Sequence, residues 1–103
     1  MSDDSSQNGP DLDKIKKIIR TLREFPEGIW IRKLSRESEL PLSTVHYYID
    51  NVLDSFIVSE GARDSEGNFF GLRLLKLKDG VENQLESGRS IQYLLKTNDI
   101  LTD

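Results

Sequence analysis

One polar, glycine-bounded stretch constrains this chain more than any other feature. Gly61-Ala62-Arg63-Asp64-Ser65-Glu66-Gly67-Asn68 separates two runs, 56–60 and 69–77, that are rich in aromatic, β-branched and aliphatic residues. Two such runs around a polar loop read as a β-hairpin. Before and after it, apolar residues recur at helical spacing. The chain has 103 residues and 36% apolar content, enough for one small core. The expected fold class is therefore α+β and mostly α, with one domain over residues 11–96.

The helical segments follow from caps and breakers. Residues 1–10 are polar and acidic and read as a disordered tail. Asp11 is placed as the N-cap of a helix over 11–24, with Leu12, Ile15, Ile19 and Leu22 on one stripe and Pro26 and Gly28 ending it. Ile29-Trp30-Ile31 reads either as a three-residue strand or as the entry to the next helix, over 32–38, with Leu34 inward. Pro41 marks a turn, and Ser43 is placed as the N-cap of a third helix reaching Ser55, with Val45, Ile49 and Val52 on one face. The slip in alternation between Leu74 and Leu75 predicts a bulge or an early strand end there. Asp79 and Glu82 form a capping-box pattern opening a last helix over 79–96, and residues 97–103 are a polar end.

Composition removes several functional classes. With no cysteine, a thiolate metal site or a Cys nucleophile has no material, and with one histidine neither a His-rich metal site nor a Ser-His-Asp triad is expected. No enzyme, cofactor or metal is expected. No apolar run approaches membrane-spanning length, the start lacks the signal-peptide pattern, and a cytoplasmic location is expected. The net charge of −4 is unevenly spread. Residues 14–36 carry eight basic residues against two acidic ones, whereas 37–103 carry six against twelve. The acidic balance argues against indiscriminate nucleic-acid binding, while the basic segment permits a local positive face.

The order helix, short strand, helix, turn, helix, hairpin, helix gives the motifs a context. Leu34-Ser35, Leu40, Ser43-Thr44-Val45, Ile49, Val52 and Phe56-Ile57-Val58 stand at the spacing of a helix-turn-helix, and Leu75-Lys76-Leu77 before Gly80 leads into a last helix. This pattern resembles winged-helix transcriptional regulators of the MarR- and PadR-like kind over about residues 12–95. Glu39 and Phe56 stand where that family often keeps glycine. The resemblance implies a winged helix, with the hairpin as wing and the third helix entering the major groove of double-stranded DNA. It also implies a homodimer resting on the last helix, through Val81, Leu85, Gly88 and Leu95.

On that reading Ser43, Thr44, His46 and Tyr47 contact bases. Lys33, Arg36 and Arg20 hold phosphates, and Arg63 reaches from the wing. Tyr48, three residues after Val45, is expected at the edge of the core, and Trp30 in the core beneath the wing. Small Ser35 is expected to let two helices cross closely. Against DNA stands the third helix itself, which has no Arg or Lys from Ser43 to Ser55 and carries Asp50 and Asp54. Arg and Lys make most base and phosphate contacts. A winged-helix module that binds a protein partner is therefore the second reading.

Overall fold

The isoleucine-rich stripe of the first helix forms the floor of the core. Ile15, Ile18, Ile19 and Leu22 lie on one side of α1 (Leu12–Glu24) and are buried. The computed structural model describes residues 11–96; the expected tail over 1–10 and end over 97–103 fall outside them. Asp11 caps α1 as expected. Its carboxylate accepts from the Asp13 backbone N–H at 2.9 Å and from Lys14 Nζ at 3.0 Å. Its own backbone N–H donates to the Tyr48 hydroxyl at 2.9 Å, which fastens the start of α1 to the third helix.

The chain continues through β1 (Ile29–Trp30), α2 (Ile31–Ser38), α3 (Leu42–Asn51), a 3₁₀ turn (Asp54–Phe56), β2 (Ile57–Arg63), β3 (Phe69–Leu77), α4 (Asp79–Glu86) and α5 (Ile91–Lys96). The three strands form one antiparallel sheet in the order β1-β3-β2. This is the expected mostly helical α+β arrangement. Leu34 from α2, Val45 and Ile49 from α3, Leu53, Phe56 and Leu75 from β3 close over α1 in one hydrophobic cluster. Full burial of each such side chain contributes roughly 1.5–3 kcal/mol of transfer free energy. Among the described residues, no helix is long and apolar enough to cross a membrane.

Several expected boundaries are corrected. Helix α3 starts at Leu42, not after Ser43, because Pro41 (φ −58°, ψ 148°) occupies the cap position and its carbonyl accepts from Val45 N–H at 3.0 Å. Ser43 is thus inside the helix and makes no cap. The helix ends at Asn51 rather than Ser55, and Phe56 sits buried in the 3₁₀ turn rather than in the strand. The capping box at Asp79 is absent: Lys78 is the cap residue, its N–H fixed to the Phe56 carbonyl at 3.0 Å, so α4 begins one residue early. The Glu82 carboxylate pairs instead with Arg23 at 3.1 Å.

The sheet corrects two more readings. Leu74 and Leu75 pair regularly with Glu60 and Ser59; the irregularity lies between Gly61 and Arg63 on the opposite strand. The apparent slip arose because the inward position at 73 holds an arginine, while Leu75 and Leu77 continue the same inward row. Trp30 is 47% exposed rather than core, since in β1 Ile29 takes the inward side.

The last helix over 79–96 is two helices. Gly88 (φ +103°) follows α4, its N–H reaching the Leu85 carbonyl and the Arg89 N–H reaching that of Gln84, both at 3.1 Å. These are the two bonds of a Schellman motif, which ends a helix. Ser90 then caps α5 by accepting from Tyr93 N–H at 3.0 Å.

The same motif ends α2, where Glu39 N–H reaches Arg36 and Leu40 N–H reaches Ser35. Ser35 serves this turn as well, its hydroxyl donating to the Leu40 carbonyl at 2.6 Å. Here the left-handed residue is Glu39, with φ +62°. A side chain in that conformation costs roughly 1–2 kcal/mol, and Glu39 is exposed. Glu39→Gly is therefore expected to stabilise the protein by about 1 kcal/mol, raising Tm by about 4–8 °C in thermal unfolding; an unchanged or lower Tm refutes the account.

The cap of α1 generates a pH-dependent expectation. The hydrogen bond from Lys14, then that from the Asp13 backbone, holds the Asp11 carboxyl below its ordinary value of 3.8. A carboxyl lowered in the folded state adds stability that is present above 3.8 and is lost as pH falls through the folded value. Asp11→Asn retains a capping acceptor without the charge. Its urea midpoint should lie slightly below that of the unmodified chain at neutral pH and converge with it in acid. A gap that persists unchanged through acid pH contradicts this assignment.

Candidate nucleic-acid interface

Helix α3 divides its residues between two faces. Val45, Tyr48 and Ile49 stand at i, i+3 and i+4 and are buried. This spacing turns Ser43 and Tyr47 to solvent, Tyr47 being 52% exposed, and leaves Thr44 and His46 half-buried. Among the described residues, no side-chain hydrogen bond or ion pair engages Ser43, Thr44 or His46. The Tyr47 ring meets Tyr48 edge-on at 5.3 Å and 82°, which orients it without burying it. Tyr48 is thus packed against the core as expected, while Tyr47 faces solvent.

Beside α3 the β2–β3 hairpin forms the second wall of a cleft of about 580 Å³. His46, Asp50 and Asp54 line one side; Ser59, Arg63 and Arg73 line the other. The hairpin turn is internally braced. The Asp64 carboxylate accepts from the backbone N–H groups of Glu66 and Asn68 at 2.9 and 3.0 Å, and Arg63 Nη1 donates to the Gly67 carbonyl at 3.3 Å. Of the expected contact residues, the structure brings His46 and Arg63 to this cleft.

Arg73 is the cleft residue that sequence reasoning missed. It is only 5% exposed. Its Nη2 donates to Asp50 Oδ1 at 2.6 Å and to Ser59 Oγ at 3.3 Å, while Nη1 lies 3.5 Å from Asp50 Oδ2. One guanidinium therefore joins α3, β2 and β3. The available signal was a lone arginine at an inward strand position together with an unmatched aspartate on the facing helix.

The remaining phosphate candidates lie elsewhere. Lys33 is half-buried, with Nζ 4.7 Å from the centre of the Phe25 ring, a cation–π contact. Arg36 is exposed in the last turn of α2. Arg20 lines a different cleft, between α1 and α4, with Lys16, Arg23 and Glu82. The expected dimer seam is interrupted. Val81 is buried in the protomer's own core, Gly88 forms the helix break, and Leu85 and Leu95 are half-buried against the core. The seam predicted a single helix, and the left-handed glycine divides it.

No known protein family, curated protein or solved structure matches the chain.

Removing the partner of a buried charge costs more than removing an exposed one. Asp50 is itself 49% exposed at the side chain, so water can reach the gap. Asp50→Ala should lower unfolding free energy by about 2 kcal/mol, the range of a hydrogen bond to a charged group. Asp54→Ala, at an exposed position, should stay within about 0.5 kcal/mol of the unmodified chain. Urea unfolding of both variants checks this; equal effects remove the special place given to the pair.

Proposed function

We propose that the protein is a sequence-specific DNA-binding transcriptional regulator that works through a winged helix-turn-helix as a homodimer. The observation that carries this reading is the outer face of α3. Among the described residues, no side-chain hydrogen bond or ion pair engages Ser43, Thr44 or His46, and they stand with the exposed Tyr47 on one helix beside a braced hairpin. Side chains held on the first turns of such a helix reach base edges in the major groove. Arg36 at the turn before α3 and Arg63 on the wing supply phosphate contacts. In a homodimer, Leu85 and Leu95 are the apolar residues left for the interface, and two-fold symmetry places half-sites roughly 34–36 Å apart.

A specific observation favours the second reading, a protein-binding winged-helix module. Trp30 pairs with Leu74 across the sheet, and Leu72 follows two residues along on the same outward face. Trp30 is 47% and Leu72 64% exposed. Exposed apolar groups clustered on one face mark interaction surfaces.

Fluorescence anisotropy with labelled duplexes at several salt concentrations separates the two. Neutralising each phosphate contributes about −0.9 to the log-log salt slope. The unmodified chain should show a slope of several such contributions and a preference among sequences. Arg36→Ala should flatten the slope by about 0.9. Tyr47→Ala should weaken the preferred duplex about 10-fold, as one lost base contact does, while the chain, short of one edge-on ring contact, still unfolds in a single cooperative transition. Absence of binding even at low salt overturns the DNA reading and turns attention to the Trp30–Leu72 face.

A further inference from the structure

The guanidinium of Arg73 is buried where the hairpin approaches α3. A buried charge is retained only where it is paired and hydrogen-bonded. Here the acceptors are Asp50 on α3, at 2.6 Å, and Ser59 on β2, at 3.3 Å. The outer half of β2 and the hairpin turn lean little on the core. From Glu60 through Asn68 every residue is exposed, and the apolar anchors of the sheet, Ile57, Leu75 and Leu77, lie at its other end. Beyond Leu75 toward the hairpin turn, the Arg73 fork ties the hairpin to α3.

We infer that the Asp50–Arg73 pair locks the hairpin at a fixed angle to α3, making Arg73 a positioning residue for whatever Arg63 contacts. The lock itself stands on geometry; its role in DNA recognition rests on the function proposed above. It also gives Asp50 a purpose. An aspartate on a groove-facing helix repels phosphate, and the guanidinium beside it cancels that charge while gaining its own partner. Bidentate geometry supplies direction as well as attraction, so a lysine at 73 would hold the charge without holding the angle.

The chain has no cysteine, so Glu37→Cys on α2 and Ser65→Cys in the hairpin turn, both exposed positions, carry spin labels cleanly. Double electron–electron resonance should give a single narrow distance distribution in the otherwise unmodified chain. Asp50→Asn should broaden it at least about two-fold, and Asp50→Glu, which keeps the carboxylate, should restore most of the sharpness. Val81→Ala, a core truncation away from the cleft, lowers stability by another route and should leave the width unchanged. If Asp50→Asn leaves the distribution narrow, or Val81→Ala broadens it equally, the lock is refuted.

The DNA role is read separately. Arg63→Ala should weaken duplex binding several-fold in the unmodified chain and less than two-fold in the Asp50→Asn background, because a wing that is not held contributes little. Equal losses in both backgrounds refute the positioning role. Broadening as expected, with no duplex binding by the unmodified chain, overturns the DNA reading and leaves the lock in place.

Discussion

Helix α3 must serve two masters with ten residues, and most of the architecture follows from how it divides them. Val45, Tyr48 and Ile49 are driven inward against Leu34 and the floor laid by α1. Once those three positions are buried, the 3.6-residue period leaves Ser43, Tyr47 and Asp50 outward with no further choice. The tie from the Tyr48 hydroxyl to the Asp11 N–H then fixes the start of α1 to the same helix. A shift of α3 would therefore disturb the core, the first helix and the cleft together. That coupling leaves Asp50 as the outward side chain that holds another element, through its pair with Arg73, while Ser43 and Tyr47 face solvent.

The periodic parts of this design were legible in the sequence and the left-handed turns only in part. The stripe of α1, the cap at Asp11, the inward Val45 and Ile49, and the extent of β3 are all read from spacing, because burial selects for spacing. Helix ends obey a different rule. Two Schellman motifs close α2 and α4, one with Glu39 and one with Gly88 at the left-handed position. Glycine at 88, followed by Ser90, was a readable stop signal that the apolar spacing of 81, 85, 91 and 95 masked. Glutamate at 39 carries no such signal, since local preference opposes the conformation and the buried Leu40 and the Ser35 hydroxyl impose it. Pro41 likewise displaced Ser43 from the cap, because a ring-fixed φ outweighed a hydroxyl acceptor.

Arg73 explains why the cleft was the least legible region. Hydrophobic alternation is a test for water exclusion, and it fails where a charge is excluded from water by pairing with another charge. The facing aspartate lies 23 residues away in sequence, beyond the reach of any local pattern. Trp30 is the converse case. A tryptophan reads as core material, yet strand alternation gives the inward place to Ile29 and leaves the indole on the outer face.

Charge counting on the basic segment over 14–36 changes meaning once the ties are known. Lys14 is engaged by Asp11, Arg23 by Glu82, and Lys33 by the Phe25 ring. Those residues are partly consumed in joining α1 to its own cap and to α4, and α2 to the turn that follows α1. What remains exposed on that segment, Arg20, Arg32 and Arg36 among the arginines, is a smaller cationic set than the sequence implied. DNA recognition built on it would lean more on the aromatic and hydroxyl groups of α3 than on phosphate attraction. Such an interface has modest non-specific affinity, so discrimination between sequences would come from the shape and rigidity of the helix–wing cleft. On that reading the requirement for function would fall on the fixed relation between α3 and the hairpin, which the Asp50–Arg73 pair spans.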